Sequence, residues 1–304
     1  MPKRSFYSTS IFLAVLACIL WSTAFVGIKI GLRYSGPLQF AGIRFMISGL
    51  IILPFCTNIK NDMILLKKNI RKIFLISLFQ TVLLYGFFYT GMDKTPAAIG
   101  AIIVGGGPLF VAVLAHFITG KDPLTLRKSL ALIIGFGGII LIAIVKDKTV
   151  ENHTTVVTGI LLLITGNLAG SYGNILISKT KTGISPLFTN AIQIFAGGFI
   201  LLILSFLIEG FEFGAKPFEY YLSLGWLSFI SAVAFSVWFV VLSRPEIKVS
   251  EINVWKFMIP MLGAILSWII IKNERPQLNT IVGMIFIAAS ILIIFGRKQN
   301  KSIR

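Results

Sequence analysis

Apolar residues run along this chain in blocks of roughly twenty, separated by short polar connectors, and that is the length a helix needs to cross a hydrocarbon core. Ten such blocks can be drawn, at 11–31, 37–56, 72–91, 95–119, 124–145, 157–178, 184–208, 219–242, 249–271 and 277–296. The pattern predicts an all-α membrane protein with ten transmembrane helices. A closed β-barrel, the other spanning design, requires alternating segments of about ten residues, which this pattern lacks. The first block follows Lys3 and Arg4, as the core of a signal peptide would. It is nonetheless about twenty residues long and has no convincing small-x-small cleavage site, so it reads as a retained first span.

Composition sharpens this picture. Hydrophobic residues make up 56% of the chain and charged residues only 13%, against about 25% in a soluble domain. The net charge of +17 would suit a nucleic-acid binder, yet no basic run exceeds two residues and no nucleic-acid motif accompanies the cations. Their placement instead follows the positive-inside rule. Lys60, Lys67, Lys68, Arg71, Lys72 and the tail residues Arg297, Lys298, Lys301 and Arg304 fall on the side of both termini, while Glu209, Glu212 and Glu219 cluster on the other. A multi-pass protein with both termini cytoplasmic is expected. Cys18 and Cys56 lie in or beside apolar blocks, and His116 and His153 stand far apart, so neither a disulfide framework, a metal site nor a cofactor is expected.

The two halves resemble each other. Pro108 is followed by Asp122 and Gly138 at the same distances at which Pro260 is followed by Glu274 and Ser290. Pro37 and Arg44 correspond in the same way to Pro186 and Gln193, and Lys29 to Lys179. The repeat divides the chain at 1–150 and 151–304, five spans each, and an odd number of spans inverts the second copy. Inverted repeats of this kind place a binding site near the bilayer midplane between the copies.

Several stretches resemble the drug/metabolite transporter (DMT) superfamily, specifically its EamA type with ten spans. They are "LWSTAFVGIKIGL" at 20–32, "GIRFMISGL" at 42–50, and the P-x13-D/E pairs at 108/122 and 260/274. The resemblance implies two inverted five-helix repeats and alternating-access movement of small organic solutes, often outward, across a bacterial inner membrane. Two departures stand out: Asp122 occupies a position where Glu is usual, and Lys256 one that is usually apolar or small.

Arg44 and Lys256 are the two cations well inside spans, where a charge costs about 2.5 to 3.5 kcal/mol on the insertion scale and usually faces protein or a watery cavity. Arg44 is either a structural tether, to helix carbonyls or an outer acid, or a gating and substrate contact. Lys256 lies one turn before Pro260, near a backbone carbonyl that the proline frees. Beside Trp255 or Trp238 its ammonium would attract a carboxylate or phosphate, and the alternative is that it reaches the cytoplasmic face. Trp21, Ser22, Thr23, Lys29, Gln80, Tyr85, Tyr89 and Tyr172 add polar groups to the spans, as does the one-face series Asn167, Ser171 and Asn174. Such a series either lines a cavity or ties helices together. Gly106 and its neighbours before Pro108 suggest a helix that bends in gating, mirrored at Pro260. "VGGGPLF" lacks the Gly-Lys-Ser/Thr of a phosphate loop. "NHT" at 152–154 is formally a glycosylation acceptor, a tripeptide that arises often by chance.

None of the 11 acids sits centrally in a span. The expected function is therefore secondary transport, as export, of a small zwitterionic or anionic metabolite such as an amino acid. Substrate contacts are expected from Lys256, Trp21, Thr23, Tyr85, Asn167, Tyr172 and Trp238, with Arg44, Pro108, Pro260 and Gly106 as gating or structural positions. The alternative is a proton-coupled cation or drug exporter of the same fold. A membrane enzyme would need a mutually supporting cluster of acids, His or Ser inside the spans, and the sequence shows none. Expected partners are the small-molecule substrate and membrane lipid, with no nucleic acid, in a monomer or weak homodimer.

Overall fold

The computed structural model describes residues 3–119, 125–143, 153–244, 252, 254–272 and 274–295. Helices follow the apolar blocks in order, and no strand occurs among the described residues. They are α1 (Lys3–Gly31), α2 (Pro37–Ile52), α3 (Ile59–Lys94), α4 (Ala97–Gly105 continuing as Gly107–Thr119), α5 (Leu126–Ala143), α6 (His153–Lys179), α7 (Pro186–Ile208), α8 (Phe218–Ser243), α9 (Met258–Ile270) and α10 (Leu278–Phe295). Among the described residues six helices are long and apolar enough to cross a membrane, and the other apolar helices are shorter. Large apolar side chains such as Phe117, Phe206 and Leu207 are more than 60% exposed. A surface of that kind suits a lipid solvent rather than water.

Prolines set several helix starts. Pro37 and Pro186 occupy the first turns of α2 and α7, where a missing N–H is harmless, and Pro96 and Pro217 directly precede α4 and α8. Three starts are met by a carboxylate from the other half of the chain. The Glu209 carboxylate accepts from the backbone N–H groups of Leu38 at 2.9 Å and Gln39 at 3.2 Å. Glu274 accepts in the same way from Ala97 at 2.6 Å and Ala98 at 3.1 Å. Asp62 accepts from Ser185, the N-cap residue of α7, through its N–H at 3.1 Å and its hydroxyl at 2.7 Å. Each carboxylate meets unsatisfied N–H donors at the positive end of a helix dipole. Of the matched pair of acids after the prolines, Glu274 thus has a capping role; Asp122 lies outside the described residues.

The principal packing partners are α2 with α7, α5 with α10, α4 with α9, α1 with α8 and α3 with α6. Exchanging α1–α5 for α6–α10 maps this set onto itself. The α2–α7 crossing is close because it is built on glycine. A Cβ on Gly42 would sit 2.9 Å from the Gly198 carbonyl oxygen, and one on Gly198 would sit 2.9 Å from that of Gly42. Small residues let backbones approach to this range in a membrane.

Two elements differ from the sequence pattern. Helix α3 begins at Ile59 rather than at residue 72, because the cationic stretch that reads as a loop carries a helical series of apolar residues as well. Helix α4 is broken: Gly106 caps its first piece and a new helix starts at Gly107. Pro108 accounts for the break, since it has no N–H to give to the preceding turn. Pro260 has no such effect on α9. A 3₁₀ turn, Val254–Phe257, leads into the helix, and Pro260 is its third residue, inside the first turn. The two proline regions meet, for a Cβ on Gly105 would collide with the Pro260 ring.

Candidate functional site

At this meeting point a cavity of about 110 Å³ opens between the halves, room for three to four waters at about 30 Å³ each, or for one small solute. Its walls come from α1, α2, α3, α4, α6, α8 and α9. Lys256 lines it, held in the 3₁₀ turn that precedes α9. Its Nζ stands 4.3 Å from the Trp238 ring centre and 5.5 Å from that of Trp21. The lysine therefore faces the cavity, and its neighbours are Trp238 and Trp21 rather than Trp255. Aromatic faces attract an ammonium without neutralising it, so the charge stays available to a ligand.

Polar atoms without protein partners share the cavity with this charge. Among the described residues the indole N–H groups of Trp21 and Trp238 are buried and donate to no protein group, and the amide oxygens of Gln80 and Asn174 accept from none. All four residues line the cavity. Buried polar atoms are rarely left so, because each forgoes its bond to water, and four around one space define a place that a polar molecule can satisfy. The donors Lys256, Trp21 and Trp238 come from the 3₁₀ turn before α9, from α1 and from α8, whereas the acceptors Gln80 and Asn174 come from α3 and α6. A π-helical turn at Leu78–Leu83 contains Gln80, a local widening of the helix often found at functional sites. Phe25, Tyr85, Phe88 and Phe235 complete the walls, with Tyr85 packed on Phe45 and Phe235 at ring distances of 4.5 and 5.7 Å.

Arg44 also reaches the cavity, but its guanidinium is engaged. Nε donates to the Leu227 carbonyl at 3.1 Å and to Ser231 Oγ at 2.9 Å, and a terminal nitrogen donates to the Tyr89 hydroxyl. The residue is 2% exposed and its charge lies 4.9 Å from the Phe45 ring centre. One carbonyl and two hydroxyls thus connect α2 to α8 and α3 through Arg44. The counterpart Gln193 on α7 makes the mirror connection, accepting from Ser77 through its backbone oxygen and from Thr81 through its side chain, each at 2.7 Å on α3. It continues through Asn190 to Ser236 on α8.

The remaining expected residues divide. Asn167, with Ser171, lines the cavity, and its amide donates to the Ile103 carbonyl at 2.7 Å, next to the break in α4. Gly106 is buried at the break, and Pro108 follows it by two positions. Thr23 does not line the cavity; its hydroxyl donates to the Leu20 carbonyl and accepts from the Trp226 indole. Tyr172 does not line it either, and its ring packs on Phe79 at 4.5 Å. Lys29 donates to the Met92 carbonyl at 2.6 Å, closing the end of α3. Phe25, Phe88 and Phe235 gave no signal in the sequence, because an aromatic residue in an apolar run looks the same whether it faces lipid, core or cavity. Among the described residues no three His, Cys, Asp or Glu side chains converge on a metal-sized space.

The family model of the EamA-like transporter family matches the chain twice, over residues 8–144 and 157–296. The uncharacterized transporter YvbV of Bacillus subtilis (strain 168) is 28% identical over 97% of this chain and 92% of its own length. The uncharacterized transporter YoaV of the same organism is 22% identical over 92% and 96%. The WAT1-related protein At3g02690, chloroplastic, of Arabidopsis thaliana is 24% identical over 90% of this chain and 67% of its own. A solved crystal structure superimposes with a TM-score of 0.70 at 15% identity, covering 97% of this chain and 99% of that one, which is a likeness of fold.

Proposed function

The chain belongs to the EamA-like transporter family of the DMT superfamily and is a multi-pass membrane transporter, and from that premise we propose that it exports a small zwitterionic or anionic metabolite, an amino acid being the simplest fit. The observation that carries this reading is the company Lys256 keeps: an ammonium and two unpartnered indole N–H donors line the same small cavity as two unpartnered amide oxygens. A carboxylate would satisfy the donors and an ammonium the acceptors, so a zwitterion would complete both sets at once. Among the described residues no acid lines the cavity, which disfavours a cationic substrate.

Movement would follow from the two halves, 1–150 and 151–304, rocking about the cavity as inverted units. The symmetric packing of α2 on α7 and α4 on α9, and the two matches to one family model, support that reading. The α4 break at Gly106 and the 3₁₀ entry to α9 supply the flexible joint, with Arg44 and Gln193 keeping α2 and α7 attached to their neighbours. Both termini would lie in the cytoplasm of a bacterial cell, with the chain acting as a monomer or weak homodimer in the inner membrane.

Efflux of radiolabelled amino acids and organic acids from proteoliposomes tests the assignment. Replacing Lys256 by Met should lower transport by at least about tenfold, the worth of one charge-assisted hydrogen bond. Equal movement of anionic and zwitterionic solutes by both forms would overturn the site. Extrusion of cationic dyes by both forms would favour the cation-exporter reading instead.

A further inference from the structure

Transport through the cavity leaves the first third of α3 without a role. This helix counts 36 residues, about 54 Å at 1.5 Å per residue, whereas a hydrocarbon core is about 30 Å thick. Its excess length lies at the N-terminal end. Residues 73–92 carry no charge, while 59–72 carry Lys60, Lys67, Lys68, Arg71 and Lys72, all exposed. Asn69 marks a kink inside the cationic part, three residues before its end, with φ −118° and ψ 18°, and its side-chain amide donates to the Leu65 carbonyl at 3.0 Å.

Three faces can be traced on this segment. One packs on the protein: Asp62 holds Ser185, Leu65 lies beside Gly183, and Ile73 is buried. On a second flank Ile59, Met63, Ile70 and Phe74 fall on one side at helical spacing, each between 41% and 55% exposed. Lys60, Lys67 and Arg71 form the third, at i, i+7 and i+11, with Lys68 and Lys72 next to them. Among the described residues none of these five cations enters a salt bridge, and Asp62, the acid of the segment, is already engaged.

We propose that residues 59–72 lie along the membrane surface and bind the headgroups of anionic phospholipids, with the exposed apolar flank entering the acyl boundary. An exposed apolar flank beside a cationic one is the make-up of an interfacial helix, and clustered Lys and Arg next to a span attract acidic headgroups. The segment is continuous with a span and its apolar flank runs on to Phe74, inside the uncharged stretch, so the surface within its reach is the bilayer itself.

The test compares nanodiscs of phosphatidylcholine alone with nanodiscs containing three parts in ten of phosphatidylglycerol. In wild type, hydrogen exchange over residues 59–72 should slow when phosphatidylglycerol is present. Spin-labelled phosphatidylglycerol should associate with the protein roughly fivefold better than spin-labelled phosphatidylcholine, the factor expected of one charge–headgroup contact. The variant Lys67→Gln/Lys68→Gln/Arg71→Gln/Lys72→Gln should lose this preference, and Lys67→Arg/Lys68→Arg/Lys72→Arg should keep it. Exchange that is the same in both nanodiscs, or a preference that survives loss of the charges, would overturn the proposal. So would slowing of exchange by soluble polyglutamate alone, which would assign the face to an acidic protein. The exchange measurement uses wild type, so it decides the matter even where the charge-removed variant fails to fold.

Discussion

Arg44 shows how a single buried charge is kept in a membrane protein. Its guanidinium is spread over a helix carbonyl, a serine hydroxyl, a tyrosine hydroxyl and an aromatic face, with no acid among those contacts. Distributing the charge over neutral acceptors leaves it unneutralised beside the cavity, where it adds to the positive field of Lys256. Removing one acceptor strands a donor, at a cost of about 1 to 3 kcal/mol. Tyr89→Phe should therefore lower the melting temperature in detergent by several degrees while substrate KM stays near the wild-type value. A large rise in KM without loss of stability would instead make Arg44 a substrate contact. Lys256 differs in that ring faces surround it, and its removal should be read in transport before it is read in stability.

The caps matter most at the scale of the helix. Three carboxylates, Asp62, Glu209 and Glu274, each reach a helix start in the opposite half, at a point where backbone N–H groups have no partner of their own. Glu274 is the most engaged, for Ser267 also donates to it. Glu274→Gln keeps the shape and removes the charge. It should cost about 0.5 to 2 kcal/mol, the usual worth of a helix cap, seen as a lowered melting temperature and faster hydrogen exchange at 97–100. Unchanged exchange there would show that the cap contributes nothing to α4. The α3 kink belongs to this scale as well, since at Asn69 it changes the direction of the helix close to where the cationic segment gives way to the uncharged span.

For the molecule as a whole, the contact between Glu209 and the start of α2 brings the two halves together at one end. A Cβ placed on Gly36 would lie 3.6 Å from the Glu209 Cβ, inside the range of about 3.5 to 4.5 Å that a disulfide spans. The double variant Gly36→Cys/Glu209→Cys should cross-link on oxidation, lose transport, and recover with reductant, while each single variant stays active. Full transport in the cross-linked protein would contradict rocking of one half against the other at this end. The sequence alone determined the number and order of the apolar helices, the two-fold repeat and the identity of the two cations set inside apolar blocks, because hydrophobic length and proline spacing are local properties that lipid reads directly. It also marked Trp21, Tyr85, Asn167, Trp238 and Lys256, which the fold brings to one cavity. Only the tertiary structure decided that Lys256 faces Trp238 rather than the membrane surface, that Thr23 and Tyr172 turn elsewhere, and that Phe235 and Phe88 are walls. In a helix apolar on all sides, no periodicity distinguishes the face toward lipid from the face toward a cavity, so that choice is made by the neighbouring helices.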